Sequence, residues 1–380
     1  MDQRRIGIVR NYFLEQFRTT PLMVFSPGRI NLIGEHTDYN LGYALPAAID
    51  MGIVMAVQQS KGTSCTAIAV DKDEKFSFDL NQLKPLSNGW INYLFGVVDE
   101  IHKKGKIIPP FDVVFGGDLP PGAGLSSSAA LENALTFGLN ELFGLGLSKM
   151  EMIHISQAAE HNFVGVQCGI MDQFASMFGQ KDHALFLDCN TLGSEQIPFH
   201  PKEYQLLLLN TNIPHQLADT AYNERREVCN KAAKLFGVGS LSELSLQQVE
   251  VQRDQFTRDD YQKIVFVLEE NTRVISAVAA LRKNDLRAFG ELLYASHAGL
   301  QFQYKVSCTE LDFLVDLAKA SEDVLGARMM GGGFGGCTLN LIRKNTADSF
   351  IQLATEKYHA RFNRALSAYP VVLSEGTRQL

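Results

Sequence analysis

Phe111-Asp112-Val113-Val114-Phe115 runs into Gly116-Gly117-Asp118-Leu119-Pro120-Pro121-Gly122-Ala123-Gly124-Leu125-Ser126-Ser127-Ser128, and then into Ala129-Ala130-Leu131-Glu132-Asn133-Ala134-Leu135. The first run reads as a strand and the last as a strong helix start, joined by a glycine-rich loop. Strand, glycine loop and helix N-terminus make an anion site by elementary physics. Unpaired N–H groups and the positive end of the helix dipole face the loop, and glycine lets phosphate oxygens reach the backbone. No Lys follows the second glycine as in a Walker A loop, and the spacing is not G-x-G-x-x-G. On this loop alone, a capped helix after a turn accounts for Ser and Gly equally well.

Around this stretch the chain is that of an ordinary folded protein. Its 380 residues suggest two domains at about 150 residues each. Hydrophobic residues make up 46% and charged ones 20%, far from the signature of disorder. With 35 Lys+Arg against 42 Asp+Glu the formal charge is -7, and the basic residues are scattered. Nucleic acid and membrane surfaces are therefore not expected partners. Six dispersed cysteines without C-x-x-C spacing read as reduced thiols. The apolar run Ile6-Gly7-Ile8-Val9 is too short for a secretory signal, and no stretch approaches the roughly 18 apolar residues of a membrane span, so a cytoplasmic protein is expected.

Strands are expected at Ile53–Val57, Cys65–Val70 and Phe111–Phe115, and helices from Ser126 onward. Ser148-Lys149-Met150-Glu151 has the spacing of a capping box. Tyr204–Leu209 is too short for a buried helix and reads as a central strand. Long amphipathic helices follow at Tyr222–Phe236, stopped by Gly237, then at Asp259–Leu281 and Asp285–Ala298. A strand at Thr338–Ile342, a helix at Thr346–Phe362 and a strand at Pro370–Leu373 close the chain. The layout is α+β in two parts, 1–202 and 203–380, divided where Pro198 and Pro201 precede the Tyr204 strand.

Three further segments carry chemistry. Pro27-Gly28-Arg29-Ile30-Asn31-Leu32-Ile33-Gly34-Glu35-His36-Thr37-Asp38-Tyr39-Asn40 is too polar for a core strand and too punctuated for a surface helix. Glu35, His36 and Asp38 offer the acceptors and donor that read sugar hydroxyls. One His with two carboxylates also allows a metal, and each residue singly suits a surface turn. Asp172 sits among Ile170, Met171 and Phe174, where an ionised carboxylate is costly unless paired; it is a helix cap or a functional group. Cys168 reads as packing, since no matching His motif flags a dyad. Arg328-Met329-Met330-Gly331-Gly332-Gly333-Phe334-Gly335-Gly336-Cys337 places five glycines in six positions, a backbone wall against a ligand.

Together these segments resemble the GHMP small-molecule kinases, the family that includes mevalonate and homoserine kinases, and within it the galactokinase group. Pro27 to Asn40 is similar to that group's signature, Gly122 to Ala130 to the phosphate loop, Cys168 to Phe174 to the catalytic stretch and Arg328 to Cys337 to the C-terminal glycine motif. The resemblance implies an ATP-dependent kinase that phosphorylates galactose at its anomeric oxygen, on a two-domain fold with an N-terminal mixed-sheet domain with helices, a C-terminal α/β sandwich and the active site in the cleft between them. It gives Asp172 the role of proton acceptor and Arg29 that of orienting it and stabilising the transition state. Glu35, His36, Asp38, Gly169 and Tyr222 would hold the sugar. Gly122, Ala123, Gly124, Leu125, Ser126, Ser127, Ser128, Ala129 and Ala130, with Ala69, would hold ATP, and Ser128 with Glu160 would ligate Mg2+. Partners are then galactose and ATP, with a monomer expected. Leu41, Met330 and Asp219-Thr220-Ala221 depart from the family pattern, where Asp, Thr and Ser-Glu are usual. A kinase for N-acetylgalactosamine or arabinose, and a non-turning-over sensor on the same fold, are the alternatives; the intact phosphate loop and Asp172 argue against the sensor.

Overall fold

The unbroken apolar run at Phe111 forms a strand, Phe111–Gly117, whose first six residues are buried. It lies at the centre of a six-stranded sheet in the order Arg378–Gln379, Leu22–Asn31, Pro46–Gln59, Phe111–Gly117, Cys65–Ala69, Glu74–Phe78. Neighbours are antiparallel except Cys65–Ala69 with Phe111–Gly117, which are parallel, so the sheet is mixed. Helix Ser127–Phe143 packs across one face, where Ala130, Ala134, Leu135 and Leu139 share a core with Val24, Met55, Val57 and Val113. On the other face helix Gln3–Phe17 sets Val9 and Phe13 against Phe25, Val54, Ala56 and Val114. A sheet covered on both faces is why these strands read as continuous apolar runs. The computed structural model describes residues 3–87, 89–120, 122–213 and 218–380, with the side chains of 218–222 excepted.

A second, antiparallel sheet has the order Val324–Met329, Cys337–Arg343, Tyr204–Asn210, Ser367–Val371. Its central strand divides its leucines by face. Leu207 and Leu209 meet helices Thr309–Lys319 and Ala347–Phe362 through Leu314, Ala354 and Tyr358. Leu206 and Leu208 instead join Val274, Phe289 and Leu293 in a core that also takes in Ile30, Leu32 and Leu45, and this core cements the two halves. A small third sheet pairs Tyr43–Ala44, His183–Asp188 and Ser194–Pro198. The chain end returns to the first sheet, with Leu373 bridging Ile49 and Phe25 pairing with Arg378.

The architecture is the α+β arrangement expected, with corrections of detail. The last long strand is Ser367–Val371, so Pro370 lies inside it; the strand is an edge, where a missing N–H costs no ladder bond. The Lys149–Ala159 helix opens on the expected capping box at Ser148 and Glu151, but continues as one π-helical turn, Glu160–Val164. Pro27–Asn31, read as too polar for a core strand, belongs to strand Leu22–Asn31 with Ser26, Arg29 and Asn31 buried. Its polarity is matched by partners near and far: Ser26 bonds the distant Ser176 and Thr377, and Asn31 donates to the Gly34 carbonyl three residues on. Among the described residues no helix is long and apolar enough to cross a membrane.

Candidate active site

The Leu22–Asn31 strand delivers Arg29 to a cavity of about 290 Å3 bounded also by Glu35, His36, Asp38, Gly169, Asp172, Gly331 and Gly332. Arg29 grips Asp172 bidentately, Nε to Oδ1 at 2.8 Å and Nη2 to Oδ2 at 3.0 Å, and Nη1 donates to the Gly124 carbonyl at 2.5 Å. Burial alone would lower the Arg29 pKa. Asp172, with Glu35 and Asp38, more than offsets this and raises it, so the guanidinium is a permanent cation in the site. Asp172, in the first turn of helix Met171–Phe178, also accepts from the Ser126 hydroxyl at 2.5 Å.

Ser126 does not serve as the side-chain cap that the simpler reading of the glycine loop expects. It sits at the N-cap of helix Ser127–Phe143 in a left-handed conformation (φ 57°), and its side chain makes no capping bond. The hydroxyl serves Asp172 instead, so the helix's first N–H groups are left for an incoming anion. Beside Ser127 and Ser128 opens a cavity of about 540 Å3 lined by Ala69, Trp90, Tyr93, Phe115 and Leu131 together with the charged Arg5, Asp71 and Lys72. Ala123 and Leu125 point into the core, so their backbone is what they present. Gly331, at φ 85°, stacks against Gly124, so the two glycine clusters meet at the mouth of the site.

The loop after Arg29 is buried and tied down. Thr37 donates to the carbonyls of Gly34 and Tyr43, Asn40 to that of His36, and Glu270 accepts from the Gly34 N–H at 3.0 Å. Glu35 Oε1 accepts from Arg328 Nη2 and from the Gly331 N–H, both at 2.7 Å. Burial pushes its carboxyl up, but Arg328 and then Arg29 hold it below the usual range. Burial lowers His36 to about 4 against the pull of Glu35 and the Gly332 backbone, so the ring is neutral at working pH. Asp38 is raised to about 6 by burial and then by the nearby Asp172. Its carboxylate rests on Gly169 so closely that a Cβ there would collide with it.

Glu160 lies in the π-helical turn with Oε2 accepting from Gln173 Nε2 at 2.9 Å. Burial and then Asp172 push it to about 7, while bonds from Cys168, Ser128 and Gln173 pull the other way. A buried carboxylate under that strain, beside a serine hydroxyl, is a donor set for a hard cation. Among the described residues there is no cluster of three or more His, Cys, Asp or Glu able to close a metal cage. The set therefore suits an ion that shares its sphere with phosphate oxygens and water.

The family pattern described as GHMP kinases N terminal domain matches residues 92–180, and GHMP kinases C terminal matches 277–360. Residues 11–59 match the galactokinase galactose-binding signature. The chain is 40% identical to the galactokinase of Thermosipho africanus over 364 residues, 94% of this chain and all of that one. It is 39% identical to that of Clostridium acetobutylicum over 389 residues, spanning this chain completely and 98% of the relative.

The chain belongs to the galactokinase family of GHMP kinases.

The structure of Lactococcus lactis galactokinase complexed with galactose matches with a TM-score of 0.95 at 34% identity, covering 99% of this chain and all of that one. The Methanococcus jannaschii mevalonate kinase shares the fold, with a TM-score of 0.69 at 15% identity over 94% of this chain and all of that one. Of the residues that the resemblance to galactokinases singled out, Arg29, Glu35, His36, Asp38, Gly124, Glu160, Gly169 and Asp172 line one cavity. Ala69, Ser127 and Ser128 line the adjoining one. Tyr222 lies outside the residues whose side chains are described.

Sequence reasoning missed the residues that hold this galactokinase site in place. Trp90 packs edge-on against Phe76 and Phe115 and also walls the second cavity. Arg328, wholly buried, donates to the carbonyls of Leu32, Met329 and Asn31 as well as to Glu35. A lone arginine ahead of the glycine run was its signal. Glu270 and Asn271, from helix Arg258–Arg282, carry no local signal.

Proposed function

We propose that this protein transfers the γ-phosphoryl group of ATP to the anomeric oxygen of galactose, giving α-galactose 1-phosphate and ADP. The observation that carries this is Asp172: its carboxylate, gripped by Arg29 and Ser126, opens on the same cavity as Glu35, His36 and Asp38 while touching the loop that precedes the uncapped helix end. Galactose, the sugar named for the Lactococcus lactis relative, would sit among Glu35, His36, Asp38 and Gly169, with Tyr222 as a further contact. ATP would lie along Gly122 to Ala130, its base in the slot beside Ala69 and Trp90.

Phosphoryl transfer needs positioning and charge neutralisation more than covalent help. Asp172 accepts the anomeric proton as the sugar oxygen bonds to phosphorus and the bond to the ADP oxygen breaks. A largely dissociative transition state lets that proton leave late, so a carboxylate suffices as base. Arg29 holds Asp172 in place through two hydrogen bonds and brings a fixed positive charge to the transferring group. Ser128 and Glu160 would hold Mg2+, which neutralises phosphate charge when bound. Residues 1–202 and 203–380 serve as two domains with the site in their cleft.

The test is an assay of the purified protein with ATP and magnesium across a panel of free sugars, the product's phosphate position read by NMR. Galactose 1-phosphate as the main product is expected. Turnover only on N-acetylgalactosamine or arabinose would reassign the sugar, and no turnover on any sugar would favour a sensor.

A further inference from the structure

His36 does not stand alone in the sugar cavity. Its Nδ1 lies 2.9 Å from the Tyr39 hydroxyl, which lies 2.8 Å from the Tyr304 hydroxyl, which in turn lies 3.6 Å from Cys229 Sγ. Tyr304 is wholly buried, sits at the end of the Gly299–Gln303 turn, and packs on Phe266 and on the imidazole itself with ring centroids 4.7 and 4.9 Å apart. Its main chain accepts from Arg225 Nε, and the next carbonyl, that of Lys305, accepts from Arg225 Nη2. Arg225 and Cys229 both belong to helix Ala218–Phe236. The chain of hydroxyls thus runs from the sugar motif to that helix.

The order of donors along this chain decides which nitrogen of the neutral ring carries the proton. With Tyr304 donating to Tyr39 and Tyr39 to Nδ1, the N–H is at Nε2; with the run reversed, it is at Nδ1. Either order commits the ring to a single tautomer while both hydroxyls are present.

We infer that Tyr39 and Tyr304 are positioning residues that hold His36 in a single tautomer and orientation and couple the sugar motif to helix Ala218–Phe236. Neither is needed for chemistry. Their work is to pre-order one wall of the sugar cavity, and the inference rests on the galactose reading above only for its kinetic arm.

The first test needs no substrate. Long-range proton–nitrogen NMR of the 15N-histidine-labelled protein should find His36 as a single tautomer, and Tyr39→Phe should turn it into a mixture. A mixture in the unaltered protein, or a tautomer unchanged in Tyr39→Phe, overturns the inference. In the second test, Tyr304→Phe, which removes one oxygen and keeps the ring, should raise the galactose KM about three- to tenfold, the weight of one hydrogen bond, with kcat and the ATP KM within about twofold. The Tyr39→Phe/Tyr304→Phe double variant should be no worse than the poorer single one, because either cuts the same chain. Additive losses, or a galactose KM that does not move, would defeat it. If galactose is not turned over at all, the sugar assignment has failed while the tautomer test still stands.

Discussion

Arg29 and Asp172 are 143 residues apart and meet through two parallel hydrogen bonds, Nε to Oδ1 at 2.8 Å and Nη2 to Oδ2 at 3.0 Å. A third bond, from Ser126, reaches Oδ2. A carboxylate so fully engaged is fixed in direction. Its remaining open side faces the cavity, where the proposed reaction would place the sugar oxygen.

Asp172→Asn keeps the shape and loses the base. Galactose affinity by calorimetry should change little while kcat falls at least about a hundredfold, the low end for removing a general base. Near-normal turnover would dismiss Asp172 as the acceptor. Arg29→Ala should likewise cost turnover more than sugar affinity; a loss confined to binding would make Arg29 a substrate clamp.

Arg328→Met tests how the sugar motif is held. It leaves the buried Glu35 carboxylate without its main cation, a loss of about 3–5 kcal/mol when one partner of a buried pair is removed. Denaturant unfolding should therefore show a large drop in stability, together with weak galactose binding. Adding Glu35→Gln should recover part of the stability, since the stranded charge is gone, but none of the affinity. If the double variant is as unstable as Arg328→Met, packing rather than charge is what Arg328 contributes.

What local pattern could and could not announce follows from these contacts. The Leu206–Leu209 run is apolar on both faces because helices cover both, so its reading as a central strand needed no distant information. The glycine loop was legible in outline, but not that Ser126 abandons the helix cap for Asp172, a partner 46 residues on. Ser26 and Arg29 looked wrong for a buried strand because their compensating groups come from elsewhere in the fold. Tyr39, Tyr304 and Arg328 act through tertiary hydrogen bonds that no spacing rule encodes.

Gly169→Ala puts a methyl group onto the Asp38 carboxylate. Asp38 must rotate or the 168–170 loop must shift. The galactose KM should rise about tenfold, within the range expected for overpacking a tight contact. The melting temperature should move little, because Gly169 lies at the cavity rim rather than in a core. An unchanged KM would show that Asp38 does not need its present place to hold the sugar.

Asp38 also gives the site a pH dependence whose sign can be stated. Its folded pKa, about 6, stands above the ordinary 3.8 because burial and Asp172 disfavour its charge. Between those values the folded state binds a proton that the unfolded state does not, so stability from this group is present below about pH 4 and is lost as pH rises through 6. At pH 7.5 the charged Asp38 is therefore a liability that the fold carries for the sake of binding. Asp38→Asn should stabilise the protein there by about 1 kcal/mol, an advantage that shrinks as the pH falls below 6, while weakening galactose binding severalfold. Thermal melts of both proteins from pH 5 to pH 8 decide it: curves that stay parallel would mean Asp38 does not titrate in this range.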